Sequence, residues 1–261
     1  MPISAQASPA AQSFVDVLQR IPAIALFLDF DGVIAELAPT PDAVVVAPGM
    51  LARLQTASSA LDGAMAVISG RHVAALDGFL APLSLAVAGE HGNVRRRGNG
   101  QLVLMNPSAA AAAADVAVTL GARFADDPRI IVEAKPSGVA VHYRLAPERA
   151  DECIAAVKAA VANSPDLLLG VGKMVVEARA AGASKGEAVR AFMSEAPFAG
   201  RTPLFVGDDV TDEDGFAAAQ ELDGIGIKVG EGKTLARFRI GDTADVPALL
   251  DAIIQRYGRA V

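Results

Sequence analysis

The stretch Leu26-Phe27-Leu28-Asp29-Phe30-Asp31-Gly32 decides how the rest of the chain is read. A short apolar run of this kind reads as a strand buried on both faces, as strands of a parallel sheet are. It ends in two carboxylates one residue apart, then a glycine. Both acids therefore stand at the strand's carboxyl end, where open α/β sheets place their ligands. Two anions this close repel unless a cation, a proton or a phosphoryl group is shared between them. The remaining sequence has to supply that partner.

Outward from this stretch, buried-strand patterns recur at 64–68, 83–88, 203–207 and 224–229, with helical periodicity between them. The alternation predicts an α/β fold, a doubly wound and mostly parallel sheet. It is interrupted once. Between 106 and 178 the order helix–strand–strand occurs twice, as 108–120, 129–134 and 139–145, then 147–161, 167–171 and 174–178. That is the pattern of a small α/β module with an antiparallel sheet. The expected organisation is a core of residues 1–105 and 179–261 interrupted by an inserted α/β cap, 106–178. Residues 1–10, rich in Ala, Ser and Pro, are expected to form a disordered tail.

A formal charge of −7 lacks the basic footprint that nucleic acids or anionic membranes require, so neither is an expected partner. Arg95-Arg96-Arg97 is the one basic run, and it reads as a solvated loop or strand end. Aromatic residues are few, so the core is expected to be filled by Ala, Val, Leu and Ile. The single cysteine, Cys153, reads as a reduced, half-buried packing residue. No apolar run approaches the roughly 18 residues of a membrane span. The amino end lacks a charged region followed by an apolar core. A soluble, cytoplasmic protein is expected.

Polar groups recur at the other strand ends. Ser69 follows the second strand, Gly207-Asp208-Asp209 with Asp212 the fourth, and Lys185 opens the helix before it. Gathered carboxylates suit a hard, oxygen-seeking cation such as Mg2+ that bridges to phosphate. Ser69 and Lys185 would bring hydrogen bonds and positive charge to a phosphoryl group. The chemistry this points to is phosphoryl transfer. In the cap, period-2 alternation puts Glu133 and Lys135 on one strand face, and His142 and Arg144 on one face of the next.

Asp29-Phe30-Asp31-Gly32, Ser69, Lys185 and Gly207-Asp208-Asp209 resemble the four ordered motifs of the haloacid-dehalogenase-like phosphohydrolases. The resemblance implies that Asp29 is the nucleophile and forms an aspartyl-phosphate. Asp31 would be the acid/base, and Ser69, Gly70 and Lys185 would contact the phosphoryl group. Mg2+ would be held by Asp29, by the main-chain carbonyl of Asp31 and by Asp208, with Asp209 and Asp212 holding metal waters or Lys185. One position departs from the pattern. The residue after Gly32 is usually threonine in these enzymes and here is Val33, so a hydroxyl near the catalytic loop is expected to be missing.

A narrower resemblance rests on Val132-Glu133-Ala134-Lys135-Pro136, Val141-His142-Tyr143-Arg144 and Val176-Glu177. With Ile68-Ser69-Gly70-Arg71, Ala88-Gly89-Glu90-His91-Gly92 and Ser184-Lys185-Gly186, these look like the trehalose-6-phosphate phosphatases. That family implies a phosphosugar substrate, with Glu133, Lys135 and Glu177 on the sugar hydroxyls. His91, His142 and Arg144 would lie at the cleft, and Arg71 near the phosphate or the cap. The alternatives are another phosphosugar, such as sucrose phosphate or glucosylglycerol phosphate, or a catalytically silent sensor. No synthase-like region is attached, so a separate trehalose-6-phosphate synthase would supply the substrate.

Overall fold

The structure, a computed structural model, describes residues 9–97 and 99–258. The tail expected over 1–10 lies outside it except for Pro9 and Ala10, which open the first helix, α1 (Pro9–Arg20). The opening stretch forms β1 (Ile24–Leu28), followed by α2 (Pro48–Ala60), β2 (Met65–Ile68), α3 (Val73–Leu80) and β3 (Ala86–Gly89). Two short strands come next, β4 (Val94–Arg96) and β5 (Leu102–Leu104). The inserted segment holds α4 (Ala109–Arg123), β6 (Ile131–Lys135), β7 (Gly138–His142), α5 (Ala150–Val161), β8 (Leu167–Gly172) and β9 (Val175–Ala180). The chain returns through α6 (Lys185–Met193), β10 (Thr202–Gly207), α7 (Glu213–Glu221), β11 (Ile225–Val229), β12 (Phe238–Ile240) and α8 (Val246–Tyr257).

Two sheets result. The larger has the order β12-β11-β10-β1-β2-β3-β4-β5, parallel from β12 to β3 and antiparallel across β3-β4-β5. β1 lies between β10 and β2, so every residue of Ile-Ala-Leu-Phe-Leu is buried, as an all-apolar strand requires. The strand order reverses beside β1, which puts the crevice of a doubly wound sheet at its carboxyl end. The smaller sheet, β6-β7-β9-β8, is wholly antiparallel. Each sheet has its own apolar cluster, the smaller one built from α4, α5 and the inward faces of β6 to β9.

Three sequence expectations change. Phenylalanine is scarce but concentrated in the large core, where Phe27, Phe30, Phe192, Phe198, Phe205 and Phe216 are fully buried. Cys153 is fully buried rather than half-buried, inside the smaller cluster. The arginine run is a strand end, one of the two expected readings, but it is not solvated. Arg95 and Arg96 close β4, where Arg95 is buried, pairs with Glu195 and lies 4.8 Å from the centre of the Phe192 ring. Arg96 makes a two-pronged pair with Asp77 at 2.8 and 2.7 Å. Planar guanidinium groups can stack and pair at once, which lets arginine be buried beside the aromatic side chain of a helix. Among the described residues no helix is long and apolar enough to cross a membrane.

Candidate active site

The sheet topology brings the strand-end acids to one point. Carboxylate oxygens of Asp29, Asp208 and Asp212 all lie within 4.8 Å of one another. Gly32 makes this approach possible. Its φ is +77°, and a Cβ there would fall 2.3 Å from the Asp208 carboxylate. Only glycine tolerates both the backbone and the crowding.

Lys185 is the first residue of α6, whose N-cap, Ser184, accepts a hydrogen bond from the Glu187 amide at 3.1 Å. Its ammonium is buried and bridges Asp29 at 2.9 Å and Asp212 at 2.6 Å. The other oxygen of Asp212 accepts from the amides of Asp208 and Asp209, each at 2.9 Å. Asp212 is thus saturated and shapes the loop. Asp208 is not, because no donor among the described residues reaches its carboxylate.

Electrostatics follow from this crowding. Burial and the neighbouring Asp212 push the Asp29 carboxyl well above its usual range, against the pull of Lys185. The same two causes raise Asp208 to about 6. Burial opposes the charge on Lys185, but Asp212 and Asp29 outweigh it and hold the ammonium above its ordinary range. An all-oxygen donor set with an unpartnered carboxylate and excess negative charge fits a hard cation. Asp29 and Asp208 offer the free oxygens. Asp209 is not brought to that set. Its carboxylate accepts from Val210 N at 2.7 Å, and from Lys173 N at 3.2 Å on the β8–β9 turn of the smaller domain.

Asp31 has both oxygens engaged by Arg71, at 2.7 and 2.8 Å. The guanidinium lies over the adjoining Phe30 and Phe79 rings, 5.3 and 4.9 Å from their centres, and also donates to the Pro41 carbonyl at 3.0 Å. Ser69 is fully buried, and its hydroxyl accepts from Arg71 N at 3.2 Å. Gly70 packs against His91, whose ring lies 2.8 Å from where a Cβ would stand. Val33 is buried in the large apolar core. A hydroxyl does reach this loop, from Thr243, which donates to the Gly32 carbonyl at 2.8 Å.

The smaller sheet roofs this floor. Strand register aligns Glu133, Ala140, Glu177 and Gly170 in one row, and Ile131, His142, Val175 and Gly172 in the next. Glu177 accepts from Lys135 at 2.6 Å and pairs with His91 of the core at 2.5 Å, while Lys135 donates to the Gly70 carbonyl at 2.8 Å. Burial pushes Glu177 up, but Lys135 and His91 outweigh it and hold the carboxyl well below its usual range. Glu133 pairs with His142 at 2.8 Å. Arg144 donates to the Lys173 carbonyl at 3.2 Å. A single cleft is lined by Asp29, Asp31, Ser69, Gly70, Arg71 and His91 from the floor, with Lys185, Asp208 and Asp209 beside them. From the roof come Glu133, Lys135, His142, Arg144 and Glu177.

Sequence reasoning passed over three features in or beside this cleft. The 37–41 loop forms its side wall. Thr243 reaches the catalytic loop from the far end of the chain, a pairing that no local signal carries. Lys228, a lysine within the apolar strand β11, is buried with its ammonium on the Asp208 carbonyl. Its place inside such a strand was a legible signal.

With this geometry in place, similarity to known proteins is informative. The fold is that of the haloacid-dehalogenase-like hydrolases. Aligned over 230 residues, the chain is 44% identical to the trehalose-6-phosphate phosphatase of Escherichia coli K12, covering 88% of this chain and 86% of that one. It is 34% identical to a bifunctional trehalose-6-phosphate synthase/phosphatase of Thermoproteus tenax, covering 87% of this chain but 31% of the relative. The crystal structure of a trehalose-6-phosphate phosphatase related protein superposes with a TM-score of 0.77 at 26% identity, over 89% of this chain and 97% of that one. Residues 27–240, from β1 to the end of β12, match the trehalose-phosphatase family, and the chain belongs to it.

Proposed function

We propose that this chain hydrolyses trehalose 6-phosphate to trehalose and phosphate, with the core performing the chemistry and the cap, 106–178, selecting the sugar. The observation that carries the reading is the single cleft in which a phosphoryl-type floor meets a polar, hydrogen-bonding roof. Family membership supports the same substrate.

Asp29 is assigned as nucleophile. Its carboxylate attacks phosphorus, the bond to the sugar oxygen breaks, and an aspartyl-phosphate forms. Lys185 and Ser69, with the backbone of Gly70, hold the phosphoryl oxygens as charge develops on them. Asp31 protonates the departing sugar oxygen, then takes a proton from the water that attacks the aspartyl-phosphate and frees phosphate. Both of its oxygens are occupied by Arg71 in this structure, so each proton transfer requires one of those bonds to open. Mg2+, held by Asp29, Asp208 and the main-chain carbonyl of Asp31, would supply positive charge against the phosphoryl oxygens. Asp212 keeps Lys185 and the Asp208 loop in place.

Glu133, Lys135 and Glu177 are assigned to the sugar hydroxyls, with His91, His142 and Arg144 completing the rim. A roof of acids and bases offers both donors and acceptors, which suits a hydroxyl-rich disaccharide. Closing it expels water from the floor. A trehalose-6-phosphate synthase supplies the phosphorylated sugar in this reading.

The test is phosphate release by purified protein from trehalose 6-phosphate, sucrose 6-phosphate and glucosylglycerol phosphate. Trehalose 6-phosphate is expected to give the highest kcat/KM. Turnover of the other two but not of this one overturns the substrate assignment. No single-turnover release with Mg2+ present overturns the assignment as an enzyme.

A further inference from the structure

A buried lysine has no part in the chemistry assigned above. Lys228 lies on β11 beside β10, registered against Gly207, and is only 5% exposed. Its ammonium donates to the carbonyl of Asp208 and, at 3.1 Å, to that of Val229. Among the described residues it forms no ion pair. A lone ammonium inside a sheet is costly unless negative charge lies near enough to offset it. Two carbonyl dipoles offset part of that cost, and the rest has an evident source. The Asp208 peptide it holds carries the one carboxylate of the acid cluster that no donor reaches.

The charge inventory makes the point sharper. Asp29, Asp208 and Asp212 bring three carboxylates together, and Lys185 neutralises from one side only, touching Asp29 and Asp212. Asp208 has no direct contact with Lys185; it feels that ammonium at a distance and, more weakly, that of Lys228, which holds its peptide carbonyl. We propose that Lys228 is a positioning residue that anchors the Asp208 peptide and supplies standing positive charge to the cluster when no cation is bound. It touches neither substrate nor reacting atoms. This inference rests on the reading of Asp29 and Asp208 as a cation site.

If Lys228 shares the cation's neutralising work, removing it leaves the cluster more dependent on the cation. A merely structural lysine would instead destabilise the protein equally with and without metal. The experiment is thermal melting of wild type and Lys228→Met in EDTA and in saturating Mg2+. In EDTA the variant is expected to melt roughly 5 °C or more below wild type. In Mg2+ less than half of that difference should remain, so Mg2+ raises the variant's Tm by more than it raises the wild type's. An equal loss in both conditions, or a larger loss in Mg2+, overturns the proposal. If the Met variant does not fold, Lys228→Gln, which removes charge but keeps a donor, is held to the same comparison. Wild type whose Tm is indifferent to Mg2+ would instead refute the cation site, a separate failure. Asp208→Asn serves as the reference for that outcome, because it should lose the Mg2+ response.

Discussion

The floor and the roof of the cleft handle charge in opposite ways. At the floor, acids outnumber bases at one point. Asp29, Asp208 and Asp212 converge, Lys185 is the base between two of them, and burial together with this crowding pushes the Asp29 and Asp208 carboxyls upward. On the roof each acid already has a base. Glu133 has His142, and Glu177 has Lys135 together with His91. The floor is therefore incomplete without charged ligands, a cation and a phosphoryl group. The roof's two acids are already partnered, and it presents a hydrogen-bonding face. The difference underlies the proposed division between chemistry and sugar selection, and it can be broken experimentally.

The largest effect is expected at the floor. Asp29→Asn should lower kcat by roughly 10⁴-fold or more, the scale expected when a nucleophile is removed. Because it also removes one of three crowded carboxylates, the metal-free Tm should hold or rise. A fall of several degrees in EDTA would mean that the floor is not under the repulsion described.

On the roof, Glu177→Gln leaves Lys135 buried without its carboxylate, a loss of about 3–5 kcal/mol where such a pair is broken. We expect kcat/KM for trehalose 6-phosphate to fall by about 100-fold or more, and that for p-nitrophenyl phosphate by less than about 10-fold. Equal losses on both substrates would erase the division between floor and roof.

The pH response of the same contact gives a third test. Lys135 and His91 hold the Glu177 carboxyl well below its ordinary value of 4.5. Its stabilisation is thus fully present above about pH 4.5 and is lost as pH falls below that toward the folded value. Hydrogen exchange should show β6, β7 and β9 losing protection before β1 and β10 when pH is lowered from about 5 to about 3. Loss in the reverse order would place the weak contact in the core.

The smallest effect is expected where roof and floor merely touch. Asp209→Ala removes the bond from its carboxylate to the Lys173 amide and one capping bond, worth about 1 kcal/mol. KM should rise roughly 2- to 5-fold with kcat unchanged. A 100-fold fall in kcat would return Asp209 to the metal set from which the structure separates it.

The legible parts of the sequence were those whose signal is local. An apolar run closed by Asp29 and Asp31 states a buried strand and its ligand end, and the run is the end of β1. The antiparallel cap sheet was visible from the alternation around Glu133 and His142. What escaped the sequence depended on partners far along the chain. Arg95 looked solvated because nothing nearby announces Glu195 or Phe192. The sequence did not show that the Asp209 carboxylate meets the β8–β9 turn. Nor did it show that Lys135 and Glu177 pair with each other and reach Gly70 and His91 of the core.

The sequence by itself determined the strand order of chemistry, namely which residues could attack, donate or bind a cation, because residue type and local periodicity decide those. It also marked Val33 as a missing hydroxyl. Only the tertiary structure decided which groups are spent and which are free. Val33 belongs to the apolar core, while the hydroxyl on the Gly32 carbonyl comes from Thr243, 211 residues apart from it in sequence. Asp212 is saturated, Asp208 is not, and Asp31 is held by Arg71. Such assignments depend on distances between strand ends that only the closed sheet sets. The physical reason is that charge is balanced in space, among groups within a few ångströms, and not along the chain.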